Sequence, residues 1–188
     1  MLGVCEGTEG AAMEVSGRSV LAKTESGSVR GRLEAKRSIA VFSGIPYVAP
    51  PIGPKRWRAP SPPEPWSEVL DARKPGPRAF QRRAQTEDFI RLLVAGLGLP
   101  PWKRRVMQTG LKLVPLKQSE DCLTVNVRTP VEAVDLPVMV WIHGGDHTDG
   151  AGSDISVPDE YAAGFGLCVG HVQLSAWPVR LLGASRVG

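Results

Sequence analysis

The residues with the most chemical promise are His143, Gly144, Gly145 and Asp146, which follow the apolar run Val138-Met139-Val140-Trp141-Ile142. A strand that runs straight into a Gly-Gly turn can present backbone N–H groups to a cleft. Glycine allows dihedrals closed to other residues and lets a substrate approach the main chain. Two such donors can stabilise the charge that develops on a carbonyl oxygen during acyl transfer. Because a Gly-Gly turn after a strand is common, its neighbours must decide the matter. The same stretch offers a second chemistry: His143, Asp146, His147 and Asp149 are four potential metal ligands within seven residues. Zinc accepts such ligands, but no distant ligand set accompanies them. Histidines closing a turn are the simpler reading, and the expectation is no metal and no cofactor.

The elements that must position the turn are legible in outline. Residues 138–142 are continuously apolar, as expected of a central strand covered on both faces. Residues 123–127 form the other well-marked strand. Further upstream, residues 19–24 and 28–33 are β-prone runs around Glu25-Ser26-Gly27, a hairpin signal, and residues 39–42 read as another strand. Eight prolines between Pro46 and Pro65 exclude helix and sheet interior there. That segment is expected to run extended over the surface, pinned by Trp57 and Trp66. Thr86 reads as an N-cap with Glu87 and Asp88 in the first turn, and Phe89, Ile90, Leu93, Val94 and Leu97 follow at helical spacing. Gly96, Gly98 and Pro100-Pro101 end that helix, and a second is expected over residues 102–114, with Lys103, Arg104 and Arg105 on its wet side.

The totals fit one globular domain: 188 residues, 42% hydrophobic and 22% charged, with 17 prolines and 21 glycines. The formal net charge of +4 is local rather than global. Between residues 82 and 117 there are eight Lys or Arg against Glu87 and Asp88, more excess charge than the whole chain carries. The basic balance therefore describes a helical insert with a solvated face, and no nucleic-acid partner is expected. Cys5, Cys122 and Cys168 are widely spaced and odd in number, which argues against a disulfide framework. No stretch approaches the ~20 apolar residues of a membrane span. Residues 1–17 read as a loose, Gly-rich leader without the basic start and apolar run of a secretory signal, so a cytoplasmic location is expected. Met13 is an alternative start.

Several longer motifs surround the turn. Thr24-Glu25-Ser26-Gly27-Ser28-Val29-Arg30-Gly31 resembles the opening hairpin of type-B carboxylesterases, the cholinesterase-like α/β-hydrolases. Phe42-Ser43-Gly44-Ile45-Pro46-Tyr47-Val48-Ala49-Pro50-Pro51-Ile52-Gly53 is similar to that family's F-x-G-I-P-Y-A-x-P-P-x-G signature, and Arg56-Trp57, Pro60, Pro65-Trp66 and Asp71-Ala72 continue in register. Ser119-Glu120-Asp121-Cys122-Leu123-Thr124-Val125-Asn126-Val127 resembles S-E-D-C-L-x-x-N-V, and Leu136 to Gly145 resembles the strand and oxyanion loop. The resemblance implies an α/β-hydrolase fold, here its N-terminal part: small antiparallel strands, then the first strands of the central sheet. It also implies ester hydrolysis of a small-molecule ester through a Ser–Glu/Asp–His triad. Of the site residues only the oxyanion loop carries over: Gly144 shapes the turn, and Gly145 and Asp146 supply the N–H donors. The expected domain is residues 18–166, with a basic helical insert at 82–117.

Three departures qualify that expectation. Asp146 stands where the family has a third glycine, and its carboxylate would oppose a developing oxyanion if it pointed inward. The region of the family's partner cysteine reads Pro77-Arg78-Ala79-Phe80-Gln81, so Cys122 is expected as a buried thiol. Finally, no G-x-S-x-G exists in the 188 residues; Gly183-Ala184-Ser185-Arg186-Val187-Gly188 comes closest, with its last glycine one place late. Nucleophile, acid and base have no counterpart, so the chain is expected to be an inactive fragment. The alternative is a non-catalytic relative that serves in interaction.

The tail, residues 167–188, carries its own explanation. Where the family has a strand ending in N-Y-R-L/V-G, this chain has Gly170-His171-Val172-Gln173-Leu174-Ser175-Ala176-Trp177-Pro178-Val179-Arg180-Leu181-Leu182. Shifting the codons forward by one base makes Trp177-Pro178 yield GGC, glycine, and the other junctions permit V-T-F-N-Y-R-L-G-P-F-G-F-L. A frameshift before Gly170 accounts for both the odd tail and the missing triad. The coding DNA is expected to encode the N-Y-R-L-G run in that shifted frame; codons that do not would refute the frameshift.

Overall fold

The computed structural model of the chain describes residues 13–34, 38–81, 92, 94–112, 117–132, 135–145, 150–153, 166–172 and 174. Its first element lies inside the segment read as leader. Strand β1, Glu14–Ser16, pairs antiparallel with β2, Ser19–Thr24, and Met13 packs against the core. The expected hairpin follows. β2 pairs with β3, Gly27–Glu34, from Thr24↔Gly27 to Ser19↔Arg32. The Thr24 hydroxyl donates to the Gly27 carbonyl at 2.7 Å and closes the turn. Gly27 has φ +146°, and a Cβ there would lie 2.4 Å from Trp66 Nε1, so the position admits glycine alone.

The remaining strands build one mixed sheet. They are β4 (Ile39–Pro46), β5 (Leu70–Asp71), β6 (Thr124–Pro130), β7 (Val138–Ile142) and β8 (Cys168–Val172). Their order is β1-β2-β3-β4-β6-β8-β7, with β5 beside β3. β4 lies in the middle between β3 and β6, and Ile39, Ala40, Val41, Phe42 and Ile45 are all buried. Val20, Val29, Ala72, Val125, Val127 and Cys168 join Phe42 and Ile45 in the main core. The strand expected over residues 39–42 thus runs four residues longer, through a register shift between Phe42 and Ile45. Gly44 makes that shift with φ +76°. Its Cα faces Gly76 N and Lys74 O so closely that a Cβ would sit 2.9 Å from each.

The proline-rich segment crosses the surface as expected, with one short 3-10 turn at Gly53–Lys55. Only one of its two tryptophans pins it. Trp66 donates from Nε1 to Ser28 O and from its backbone to Ser26 O, holding the segment to the first hairpin. Trp57 is 58% exposed with φ 62°, so here the hydrophobic side chain is not an anchor. The anchor beside it is electrostatic: the Arg56 guanidinium donates two hydrogen bonds to the Glu120 carboxylate, at 2.8 and 2.6 Å. That fork holds the Glu120 carboxyl below the ordinary glutamate range.

One expectation about the strands needs correction. β7 was expected to be central and covered on both faces. Among the described residues it is an edge strand, parallel to β8 alone, with Val138, Val140 and Ile142 more than half exposed. A continuous apolar run reports what a strand can bury, not which neighbours lie against it. The tail, for its part, enters the sheet at its start: Cys168–Val172 forms β8, antiparallel to β6 and parallel to β7, and is buried from Cys168 to His171. Strand pairing uses the backbone, so a Val-containing run fills the slot whatever its side chains were selected for. Cys122 is buried and takes no part in a disulfide. Cys168 is disulfide-bonded, so spacing along the chain was no guide to that residue.

Of the first expected helix, residues 92 and 94–96 are helical and Val94 is buried; Thr86 to Ile90 and Leu93 lie outside the described residues. Leu97, expected on the apolar face, is exposed because the helix has ended one residue earlier, and Gly98 turns with φ 62°. The second helix, α1, spans Pro101–Lys112. Lys103 and Arg105 are exposed, with Lys103 Nζ 5.4 Å above the exposed Trp102 ring. No helix among the described residues is long and apolar enough to cross a membrane.

One ion-pair network ties the two flanks of β4 together. Glu34, at the end of β3, accepts from Arg32 at 2.9 Å and from Arg128 of β6 at 3.0 Å. Partial burial pushes the Glu34 carboxyl up, and the two guanidinium groups more than offset this, so it titrates below the ordinary glutamate range. A lowered folded-state pKa contributes stability above the unfolded value of about 4.3 and loses it as pH falls through the folded value. Glu34→Gln is expected to destabilise the fold by about 1 kcal/mol at pH 7. In denaturant titrations that difference should vanish on acidification; a pH-independent deficit would show that the charge is irrelevant.

Candidate functional site

The turn after β7 takes its position from β8. Five register pairs, Val138↔Cys168 to Ile142↔Val172, fix β7 alongside it, and Cys168 N donates to Pro137 O at the entrance. At the far end the chain leaves the strand as His143-Gly144-Gly145. His143 Nδ1 lies 2.8 Å from Gly144 O. A carbonyl oxygen only accepts, so Nδ1 carries the proton and the ring is locked over its own turn. His143 Nε2 is buried without a hydrogen-bond partner among the described residues. Gly145 turns with φ +118°, a conformation that side chains oppose. Gly144 and Gly145 therefore form the turn by which the chain leaves β7.

Gly150 is packed directly on that turn. Gly150 has φ +100°, and a Cβ there would lie 2.5 Å from Gly144 O and 2.6 Å from His143 Nδ1. Two side-chain amides hold the segment. Gln81 Oε1 accepts from Gly150 N at 3.1 Å, and Gln81 Nε2 donates to Gly150 O at 3.0 Å and to Ala79 O at 3.2 Å. Asn126 Nδ2 donates to Gly152 O at 2.9 Å, while its Oδ1 accepts from Gly44 N at 2.9 Å. Between these grips Ala151 is 2% exposed.

Both amides have firm bases. Asn126 is on β6, paired with His171 of β8. Gln81 ends a stretch in which Arg78 N donates to Lys117 O and Ser119 N to Arg78 O, while Gln118 Nε2 reaches Gln81 O at 3.3 Å. Ala79 is buried there with Cys122 and Leu123. The Ser119–Val127 motif thus supports the turn from both sides.

A match to the model of the carboxylesterase family runs over residues 18–169. The chain belongs to the carboxylesterase family. It is similar to the medium-chain fatty acyl-CoA hydrolase precursor of the duck Anas platyrhynchos, 40% identical over 137 residues, 69% of this chain and 22% of that one. The Bacillus subtilis para-nitrobenzyl esterase is 39% identical over 132 residues, 70% of this chain and 22% of the relative. Among solved structures, a thermophilic PNB esterase superposes with TM-score 0.63 at 34% identity, covering 85% of this chain and 28% of that one. Juvenile hormone esterase from Manduca sexta superposes with TM-score 0.60 at 30% identity, over 81% and 26%. This carboxylesterase chain therefore spans about a fifth of the length of the relatives it matches. The α/β-hydrolase fold expected from the motifs is the fold it has, in part.

Of the expected site residues, the structure places Gly144 and Gly145 at the β7 turn with His143; Asp146, His147 and Asp149 lie outside the described residues. Sequence reasoning missed Gln81 and Asn126. In sequence Asn126 is one letter of the Ser119–Val127 motif, and Gln81 is a residue close to a missing cysteine. A lone amide carries no chemical signature in sequence; only the fold shows what it grips.

Proposed function

We propose that this chain supplies the oxyanion-hole part of a carboxylic ester hydrolase and, as these 188 residues, does not itself hydrolyse esters. The observation that carries the reading is the His143-Gly144-Gly145 turn at the end of β7 in a chain of this family. In the complete reaction a serine attacks the ester carbonyl, a histidine takes its proton, and N–H donors at Gly145 and Asp146 hold the oxyanion of the tetrahedral intermediate. The substrate is a small-molecule ester, in keeping with the similarity to the Bacillus subtilis para-nitrobenzyl esterase. No serine of these 188 residues sits in a G-x-S-x-G elbow.

The frameshift before Gly170 is part of this proposal. The family match stops at residue 169, one position ahead of the shifted frame. The basic stretch from residue 82 to 117 is read as solvated helices, with no nucleic-acid partner. One residue favours a second reading, a non-catalytic interaction protein of the same fold: Asp146, an acidic residue where the family pattern has a third glycine.

A chimera separates the two. Residues 18–169 should replace the matching segment of the Bacillus subtilis para-nitrobenzyl esterase, which supplies the rest of the fold. The chimera is expected to hydrolyse a nitrophenyl ester, and Asp146→Gly to raise its kcat by about 10-fold or more, since one oxyanion donor is worth about 10²–10³ in rate. The 188-residue chain in the same assay is expected to match a heat-killed control. A chimera with native circular dichroism but no turnover, unrescued by Asp146→Gly, would favour the interaction reading.

A further inference from the structure

We infer that Gln81 and Asn126 are positioning residues of the oxyanion turn, acting through the segment from Gly150 to Gly152. This rests on the esterase reading for its purpose, but its geometry stands on its own.

The Gln81 carboxamide pairs with both the N–H and the C=O of Gly150, as a neighbouring strand would. Gly150 has no room to move toward the turn, because its Cα already abuts Gly144 O and the His143 ring. Two residues on, Asn126 grips Gly152 O and with its other end caps Gly44 N, at the irregularity of the buried strand β4. The turn is thus backed by a segment clamped to the sheet through Asn126 and to the Arg78–Gln118 bridge through Gln81. Neither amide belongs to the reacting set. Their effect is geometric: oxyanion donors must lie about 2.7–3.1 Å from the charged oxygen, and a displacement of about 1 Å can cost about 100-fold in rate.

The test reads the turn directly in the ¹⁵N-labelled 188-residue chain. In Gln81→Ala, hydrogen exchange at the Gly150 amide should accelerate at least about 10-fold, the yield of roughly one lost hydrogen bond. The Gly144 and Gly145 amide resonances should move while those of β2 and β3 stay in place. Gln81→Glu keeps the acceptor for Gly150 N–H but sets a carboxylate against Gly150 O and Ala79 O. It should resemble Gln81→Ala at neutral pH and return to the wild-type Gly144 and Gly145 positions as its carboxyl protonates and regains a donor. If Gln81→Ala fails to fold, that pH-dependent return decides alone. Gly144 and Gly145 resonances that ignore both substitutions, or a Q81E spectrum that stays displaced when protonated, would overturn the inference. Either result is independent of whether the chimera hydrolyses esters.

Discussion

The structure depends on the burial of β4. Its five fully enclosed apolar residues hold the small N-terminal strands on one side and the β6–β8–β7 group on the other. Burial on both faces requires that every main-chain group there be paired. The one place where the ladder slips, between Phe42 and Ile45, is repaired by Ala72 O accepting from Ser43 N and by Asn126 Oδ1 accepting from Gly44 N. That repair is also what brings Asn126 to the segment behind the oxyanion turn. Core packing and site geometry therefore meet in a single side chain.

Much of this was legible from residues alone. The hairpin at Glu25-Ser26-Gly27 declared itself through turn chemistry between β-prone runs, and β7 through an apolar run ending in glycine. The four ordered motifs carried the family and hence the fold. What stayed hidden was non-local. Alternation and apolar content could not say that β7 would lie at an edge, because that is a property of its neighbours. The roles of Trp57 and Trp66 were indistinguishable in sequence, since both are large rings in a proline-rich stretch; only Trp66 meets a backbone carbonyl. Nor could sequence alone show that Cys168–Val172 would pair between β6 and β7, a slot that asks only for backbone pairing and modest apolar bulk.

The turn after β7 is better supported than its sequence implied and less orthodox than its family implies. Gly145 and Gly150 both occupy conformations that favour glycine, and His143 is tied to its own turn. Position 146 holds an aspartate where the family pattern has a third glycine. On the proposed reading, the chain carries the electrostatic half of an acyl-transfer site without its nucleophilic half.

That separation is most directly tested by intact mass after exposure of the 188-residue chain to a serine-directed phosphonate. An unmodified mass of 20.2 kDa is expected, because no serine of the 188 residues lies in a G-x-S-x-G sequence. A stoichiometric adduct on one serine would contradict the account.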